Sequence, residues 1–394
     1  MTCMDTRALT PARHLIYALH LLRIPVFCSF LKIAKEMMMK FIPVAALIAV
    51  GLSFSCAKDT GSPAQPGEPG IEAIIRASSV NNAVLLGEVH ANMEFHGFLD
   101  ELLRDPQFLD SIDDIAVEFG NSFHQTLVDR YVRGEDVTIE ELAPVWRDTT
   151  QWLVWDSPVY QSFFETVRAV NAERPDHRKV RVLLLDPPID WSAVSSPEDY
   201  APYADRDGYA AQYLKQESLE RGRKSLTIMG GMHVLSLQPN NGFAKPDNPA
   251  EKSLAWYIKE AAPDRTLTIW PLVGPGYLES LGLPPAPKGT FYRSDSPELS
   301  AQSFSNARLN QRLMIQKDID GEKVWTDVPN DSWPAISDMV DALLFISETK
   351  TNVSPGKQIY LDQKYQSELR RRAKILEAYY GFEFESELDA ALAE

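Results

Sequence analysis

Cysteine is nearly absent from this chain of 394 residues, and its three copies are confined to one end. They are Cys3, Cys28 and Cys56, so no residue after 56 can form a disulfide or donate a thiolate to a metal ion. For most of the chain this distribution excludes both a disulfide-stapled fold and a cysteine-ligated metal site.

The local signatures of several enzyme classes are missing as well. The sequence has no G-x-S-x-G turn, no Walker loop and no H-E-x-x-H helix, and no dinucleotide fingerprint follows the first predicted strand. A serine hydrolase of the nucleophile-elbow type and a nucleotide-dependent enzyme are therefore disfavoured.

Basic residues are also in short supply, with 39 Lys and Arg against 55 Asp and Glu. Residues 1–55 hold six of the basic and two of the acidic side chains, so the rest of the chain carries a formal charge of about −20. A body this acidic repels phosphate backbones, and we expect no nucleic-acid partner.

Residues 37–56 have the pattern of a bacterial export signal. The run Met37 to Lys40 precedes an apolar stretch, Phe41 to Phe54, which is shorter than the roughly 20 residues that span a bilayer. Cys56 follows small residues in a context similar to a lipoprotein cleavage box. The sequence thus predicts a periplasmic or surface lipoprotein of the cell envelope, attached to the membrane through Cys56. Residues 1–36 are either an over-extended reading frame or a separate membrane segment.

Composition divides the remaining chain into three parts. Residues 57–70 are rich in Pro, Gly and Ser and predict a flexible linker after the N-terminal extension and signal of residues 1–56. Residues 71–350 alternate short apolar runs with helical patterns, which predicts an α/β domain: a mainly parallel β-sheet with helices on both faces. Residues 351–394 are predicted to form a helical tail.

Four predictions concern the second half of the chain. The stretch 271–300 is dense in Pro, Gly and Ser, which predicts a long loop or lid. Two apolar runs, Arg312 to Lys317 and Lys323 to Val328, predict an inserted hairpin. A helix is predicted over 249–261, and a charged amphipathic helix over Gln363 to Tyr380, packed on the body.

Acids and histidines follow four of the predicted strands. Glu88 and His90 end the first of these strands, Glu118 ends the second, Asp186 ends the third, and His233 follows two glycines after the fourth. The carboxyl ends of parallel strands meet at one edge of a sheet, where α/β proteins gather their ligands. We therefore predict a site made of Glu88, His90, Glu118 and His233, with Asp186 as a secondary member.

Several further residues are candidates for this site. Asn92 is predicted to cap the next helix, while Glu94 and His96 lie close enough in sequence to approach His90. The glycines before His233 allow backbone amides to approach a ligand or a developing oxyanion. Four tryptophans are candidates for a pocket wall, although core packing is the commoner role of this residue: Trp146, Trp152, Trp155 and Trp191.

These segments resemble a superfamily that joins erythromycin esterase-like proteins, ChaN-like haem-uptake lipoproteins and the Tiki/TraB proteins. The segment from Gly87 to Asn92, with His96 beyond it, is similar to the ChaN-type opening. Val117-Glu118 resembles the second acidic motif of the superfamily, and Gly230 to Val234 resembles its closing G-x-x-H-V. The resemblance covers about residues 71–350.

Three functions remain open at this point. The first is a hydrolase in which His90 acts as general base, Glu88 and Glu118 orient the water, and His233 stabilises the oxyanion. The Tiki branch implies that the same Glu and His set could hold a divalent metal, with zinc, manganese and iron equally suitable. The second function is implied by the ChaN branch: a protein that binds haem or another iron compound, with Tyr131, Trp152 and Trp155 lining the macrocycle. The third is a catalytically inactive scaffold. The expected ligand is a small molecule or a peptide.

Overall fold

The structure is a computed structural model that describes residues 67–236, 252–307, 314–319, 322–329, 332–381 and 383–393. The predicted export signal and Cys56 lie outside the described residues. The described residues all lie within one compact unit. Among the described residues, no helix combines the length and the apolar character needed to cross a bilayer.

An eight-stranded sheet forms the centre of this unit, in the order β1-β7-β10-β6-β2-β5-β3-β4. The six strands from β10 to β4 pair in parallel, whereas β7 and β1 are antiparallel at one edge. The predicted α/β class with a mainly parallel sheet is therefore confirmed. The strands of this sheet are β1 Glu68–Pro69, β2 Ala83–Glu88, β3 Asp114–Asn121, β4 Arg181–Asp186, β5 Ser225–Gly230, β6 Thr266–Val273, β7 Thr290–Arg293 and β10 Ala342–Ser347.

Helices cover both faces of the sheet. Those up to β5 are α1 Gly70–Val80, α2 Met93–Arg104, α3 Pro106–Ser111, α4 Gln125–Arg133, α5 Ile139–Leu142, α6 Pro144–Arg147, α7 Pro158–Ala172, α8 Pro197–Tyr200 and α9 Arg206–Glu217. Those after β5 are α10 Gly231–Val234, α11 Leu254–Ala261, α12 Tyr277–Ser280, α13 Ile336–Met339, α14 Gln363–Tyr380 and α15 Glu385–Ala393.

The core consists of two apolar layers, one on each face of the sheet. Successive side chains of a strand point to opposite faces, so Val84 and Leu86 of β2 join one layer while Ala83 and Leu85 join the other. Every residue of β2 is buried, as are all those of β3, β5, β6 and β10. Burial on both faces explains why these strands read as continuous apolar runs.

A third, smaller apolar cluster joins the C-terminal helices to the body. Leu369 and Leu376 of α14 and Leu388 of α15 pack there with Trp152 and Trp191. The structure confirms the predicted helix Gln363–Tyr380 and its packing on the body. Asp362 caps its first turn by accepting a hydrogen bond from Tyr365 N at 2.8 Å.

The region before the last strand is more ordered than its sequence predicts. The expected loop at 271–300 contains the end of β6, α12 and the strand β7, which pairs with β10. Four residues between Gly-rich and Pro-rich segments gave too short a pattern to identify β7. The predicted hairpin is confirmed as β8 Met314–Ile319 and β9 Glu322–Asp327.

One helix start also differs from the prediction. Asn248 and Pro249, the expected start of the helix at 249–261, lie outside the described residues, and α11 is capped by Ser253, which accepts from Trp256 N at 3.2 Å. Before α4 lies a short 3-10 turn at Ser122–His124, where Asn121 accepts a hydrogen bond from Phe123 N.

Candidate active site

The parallel strands bring the predicted acids to one edge of the sheet. Glu88 ends β2, Asp186 ends β4 and Gly230 ends β5, while Glu118 lies near the end of β3. The strand order β2-β5-β3-β4 makes these four chain ends neighbours. The β3–β4 register shifts after Val117, and this irregularity falls beside Glu118. The common edge predicted from the sequence is present.

Glu88 is a buried carboxylate held from one side. Its Oε1 accepts hydrogen bonds from Tyr160 Oη at 2.9 Å and from His96 Nε2 at 3.0 Å. Its Oε2 has no hydrogen-bond partner in the described residues beyond the 3.3 Å approach of His90 Nδ1. Burial alone would raise the pKa of Glu88, yet His90 and His96 hold that pKa down at about 2. Glu88 is therefore ionised, with one oxygen left to act on His90.

His90 is the member of the site that reaches solvent, with 42% of its side chain exposed. Its ring meets the Trp155 ring edge to face, with centroids 4.7 Å apart. Burial lowers the pKa of His90, but the carboxylates of Glu88 and Glu118 outweigh this effect and raise it above its usual value. A half-exposed imidazole beside a fixed carboxylate can take up and return a proton near neutral pH.

The turn after His90 is fixed by the same tyrosine that binds Glu88. Ala91 has a φ of 51°, a left-handed conformation that side chains rarely adopt. Its backbone N–H donates to Tyr160 Oη at 2.9 Å. Tyr160 thus fixes both the carboxylate and the backbone that carries the imidazole.

Glu118 lies on the other side of the site, and both of its oxygens are bonded. Oε1 accepts from Arg206 at 2.7 Å and lies 3.2 Å from His233 Nε2, while Oε2 accepts from Gly230 N at 2.6 Å. Burial would raise the pKa of Glu118, but His233 and Arg206 hold that pKa well below its usual value. The Gly230 amide is therefore committed to Glu118 and does not face a ligand.

Gly230 is also where His90 and Glu118 meet. A Cβ at this position would lie 2.8 Å from His90 Cε1, 3.0 Å from His90 Nε2 and 3.3 Å from Glu118 Oε2. The close approach of the two side chains therefore requires a residue without a side chain.

Asp186 and Arg206 extend the charged network beneath Glu118. Arg206 Nε donates to Asp186 Oδ1 at 3.2 Å, and Thr150 donates to the same carboxylate from its backbone N at 2.7 Å and from its hydroxyl at 2.5 Å. Burial raises the pKa of Asp186 to about 6 even though Arg206 and Thr150 favour the charged form. Asp186 supports Arg206 and does not contact His90.

His233 is placed behind Glu118. Its Nδ1 pairs with Asp207 Oδ1 at 2.5 Å, and its Nε2 faces Glu118 Oε1. Only 8% of the residue is exposed. With each ring nitrogen facing a carboxylate, His233 orients Glu118, and its predicted role as oxyanion stabiliser stays a prediction.

The secondary candidates divide into two groups. His96 contacts Glu88 directly, whereas Asn92 and Glu94 form hydrogen bonds with residues outside the site. Asn92 caps α2 by accepting from Phe95 N at 2.8 Å, and Glu94 accepts hydrogen bonds from Thr351 and Thr349. The expectation that Glu94 approaches His90 is therefore wrong: its carboxylate ties the loop after β10 to α2.

The tryptophans separate in the same way. Trp155 contacts His90, but the Trp146 ring stacks on Phe164 in the core. Trp152 donates to Leu369 O at 3.0 Å, and Trp191 stacks on Tyr200. These three pack inside the protein and do not wall a pocket with His90.

The aromatic residues predicted to line a haem do not assemble around His90. Tyr131 is 5% exposed and lies in the core, where Arg168 covers its ring, and Trp152 packs against Phe384. Of the three predicted lining residues, Trp155 alone contacts His90. The described residues do not fit the predicted haem site.

A divalent metal ion fits the site better. One oxygen of Glu88, one oxygen of Glu118 and one ring nitrogen of His90 lie within 4.8 Å of one another. Among the described residues, the buried Oε2 of Glu88 has no partner other than His90. Two carboxylates and an imidazole suit zinc, manganese and iron.

Sequence patterns did not identify Tyr160, Arg206, Asp207 or Thr150 as members of the site. Tyr160 looks like an ordinary apolar position of α7, and Arg206 lies between two acids at a helix start. Their partners are 72 and 88 residues away in sequence, so no local spacing reveals the contacts. The one signal available was the need of two buried acids for a cation.

Comparisons with known proteins give structural similarity only. No family model matches the chain, and no curated protein matches its sequence. A succinoglycan biosynthesis protein is 11% identical and has a TM-score of 0.49, covering 73% of this chain and 94% of its own. An erythromycin esterase variant in its open conformation is 10% identical with a TM-score of 0.42, covering 71% and 94%. ChaN of Campylobacter jejuni with cofacially bound haem is 13% identical with a TM-score of 0.34, covering 51% and 85%. At such low similarity, the chemistry of the site must be inferred from the residues of this chain.

Proposed function

We propose that this protein is a hydrolase in which His90 is the general base and Glu88 orients it. The observation that supports this proposal is the pair itself: a buried, ionised carboxylate whose one open oxygen faces the Nδ1 of a half-exposed imidazole. A carboxylate in this position selects the tautomer with the proton on Nδ1, which leaves Nε2 free to accept a proton.

The chemical step then needs only a water and an acyl substrate at Nε2. His90 Nε2 takes a proton from the water while the water oxygen attacks the substrate carbonyl. The imidazolium is stabilised by Glu88, and the proton passes to the leaving group when the tetrahedral intermediate collapses. The raised pKa of His90 matches this function because the base remains protonatable near neutral pH.

Glu118 supplies a fixed negative charge on the other side of His90. Arg206 and His233 hold it in place, and its charge contributes to the raised pKa of His90. Glu118 therefore orients the water and favours the imidazolium. Its Oε2 and the His90 ring lie on the same side of Gly230, where a Cβ would contact both of them.

A divalent ion is the second candidate for water activation. Glu88, His90 and Glu118 would hold the ion, and it would supply a water of lowered pKa. Zinc, manganese and iron are equally suitable.

Two variants and a matched control test the proposal. We expect His90→Ala and Glu88→Gln to lower the rate of hydrolysis of a panel of 4-nitrophenyl esters and peptides by about 100-fold or more. His177→Ala is the control, because His177 is exposed and lies in the turn before β4. Wild-type turnover in His90→Ala would exclude His90 from the mechanism.

Metal content and haem binding are measured on the same proteins. If the ion contributes, chelation removes activity, one added metal restores it, and Glu88→Gln loses metal by elemental analysis. A stoichiometric Soret shift on adding haemin, without turnover of any ester or peptide, would replace the hydrolase by the haem-binding alternative.

We also propose that the protein is an envelope lipoprotein attached through Cys56. The export pattern of residues 37–56 supports this proposal. Mass spectrometry of the mature protein is expected to show a diacylglycerol-modified N-terminus at Cys56, and Cys56→Ser to leave a precursor. An unmodified protein that begins upstream of Cys56 would contradict lipidation.

A further inference from the structure

One loop touches both halves of the site. Residues 148–157, here named the strap, join α6 to α7. Trp155 of the strap packs on His90 with ring centroids 4.7 Å apart. Thr150 of the strap donates two hydrogen bonds to Asp186, which in turn holds Arg206 against Glu118. The position of the strap therefore affects both the base and the charged network.

The strap does not fix its own conformation. Leu153 has a φ of 58°, in the left-handed region that is strained for a residue with a branched side chain. Two buried polar atoms, Trp155 Nε1 and Ser157 Oγ, have no hydrogen-bond partner in the described residues. Each of these features costs free energy, so contacts from outside the strap must hold it in place.

Several of those outside contacts come from the C-terminal helix α14, in addition to the hydrogen bonds that Asn121 and Trp191 donate to Asp148 O. Arg372 donates to Asp148 Oδ1 at 2.7 Å and to Arg147 O at 2.8 Å. Trp152 Nε1 donates to Leu369 O at 3.0 Å, and Tyr365 Oη donates to Asp156 Oδ2 at 3.0 Å. Arg372 is only 6% exposed, and its guanidinium also lies over the Trp191 ring at 5.0 Å. Three turns of one helix thus bind the start, middle and end of the strap.

We propose that α14 positions the active site through the strap, and that Arg372 is the main positioning residue. Arg372 touches neither His90 nor Glu118, and it acts by keeping Trp155 on the imidazole and Thr150 on Asp186. This proposal rests on the hydrolase function for its effect on turnover. The position of the strap itself can be measured without turnover.

Hydrogen exchange with peptide resolution tests the link. In Arg372→Met, we expect the strap amides, including Thr150, to exchange roughly tenfold faster or more. Amides of the central strand β2 should keep their wild-type rates. The matched control is Arg370→Met, since Arg370 lies on the same helix and its ion pair with Asp389 is exposed. In Arg370→Met, the exchange rates of the strap amides should stay within about twofold of the wild-type rates.

Two further variants keep the test decisive if Arg372→Met folds poorly. Trp152→Phe removes the hydrogen bond to Leu369 O and part of the ring that packs against Phe384, and it should loosen the strap in the same direction. Arg372→Lys should restore part of the protection, because a lysine keeps the charge but not the two-directional hydrogen bonding. Carbethoxylation of His90, followed by mass spectrometry, should be about twofold faster in the loosened variants, because His90 loses the cover of Trp155.

The outcomes separate this proposal from the hydrolase proposal. With an active wild type, loosening the strap should lower kcat severalfold with a smaller change in KM, because it displaces the base and removes no substrate contact, and Arg370→Met should change neither. If no substrate is turned over, the hydrolase proposal fails, while strap exchange and His90 reactivity still test the positioning. Wild-type strap exchange in both Arg372→Met and Trp152→Phe would overturn the inference. So would a strap that loosens without any change in His90 reactivity.

Discussion

Arg206 is the cation that pairs with two buried acids of the site, Glu118 and Asp186. Its guanidinium pairs with Glu118 at 2.7 Å and with Asp186 at 3.2 Å, and its side chain is 10% exposed. The variant Arg206→Met keeps much of the side-chain length and removes the charge. It leaves two buried carboxylates without this partner, which costs about 3 to 5 kcal/mol of the free energy of unfolding in comparable sites.

Urea unfolding followed by circular dichroism at pH 7.5 measures this loss. The matched control is Arg130→Met, because the ion pair of Arg130 with Glu135 is about half exposed and contributes about 0 to 1 kcal/mol. The double variant Arg206→Met with Glu118→Gln should lose less stability than the two single variants added together, since it buries one charge fewer.

The pH dependence gives the sign of the effect. Burial already raises the pKa of Asp186 to about 6, and removing Arg206 raises it further. The unfolded pKa of an aspartate is about 4. A carboxyl with a higher pKa in the folded state lowers the free energy of unfolding at pH values above the folded pKa. This loss of stability disappears as the pH falls toward the unfolded pKa. The deficit of Arg206→Met should therefore shrink between pH 7.5 and pH 5. A deficit that matches Arg130→Met at both pH values would refute the assignment of Arg206 as the partner of these acids.

Three other residues of the site lend themselves to direct tests. Glu88 has a folded pKa of about 2, so its ionisation contributes roughly 3 kcal/mol to the free energy of unfolding. This contribution is fully present above the unfolded pKa and is lost as the pH falls through about 2. Glu88→Gln should therefore flatten this part of the pH profile of stability, measured by urea unfolding. Tyr160→Phe removes the donor to Glu88 and the acceptor of Ala91 N, and should lower the free energy of unfolding by about 1 to 3 kcal/mol in the same assay. The variant should also lose esterase activity. Gly230→Ala should lose activity with nearly native circular dichroism, because its Cβ would displace the His90 ring; wild-type kcat in this variant would contradict the close approach of His90 to Glu118.

The sequence was sufficient to predict the parallel part of the sheet and the edge that carries the acids. Apolar runs such as those ending at Glu88 and Asp186 identify buried parallel strands, and topology alone brings their ends together. The same reasoning fails for residues whose role depends on tertiary contacts. Glu94 follows His90 closely in sequence, but α2 directs its carboxylate to Thr351.

Residues on helices were the hardest to predict. Arg206 reaches Glu118 across 88 positions of sequence, and a charged residue at a helix start has many ordinary roles. The contacts of α14 with the strap were missed for the same reason: its charged amphipathic pattern predicts packing on the body, but only the structure shows that Arg372 is buried on the strap. Short strands such as β7 carry too few residues for a period to be recognised.

The outer edge of the sheet bears on how the protein behaves at high concentration. β1 has two residues, Glu68 and Pro69, and it covers the free side of β7 at Phe291 and Thr290. A proline has no N–H to offer an incoming strand, and a charged neighbour discourages close approach of a second copy. This short cover leaves little backbone at this edge on which another chain could build, so pairing of two copies through β7 is disfavoured.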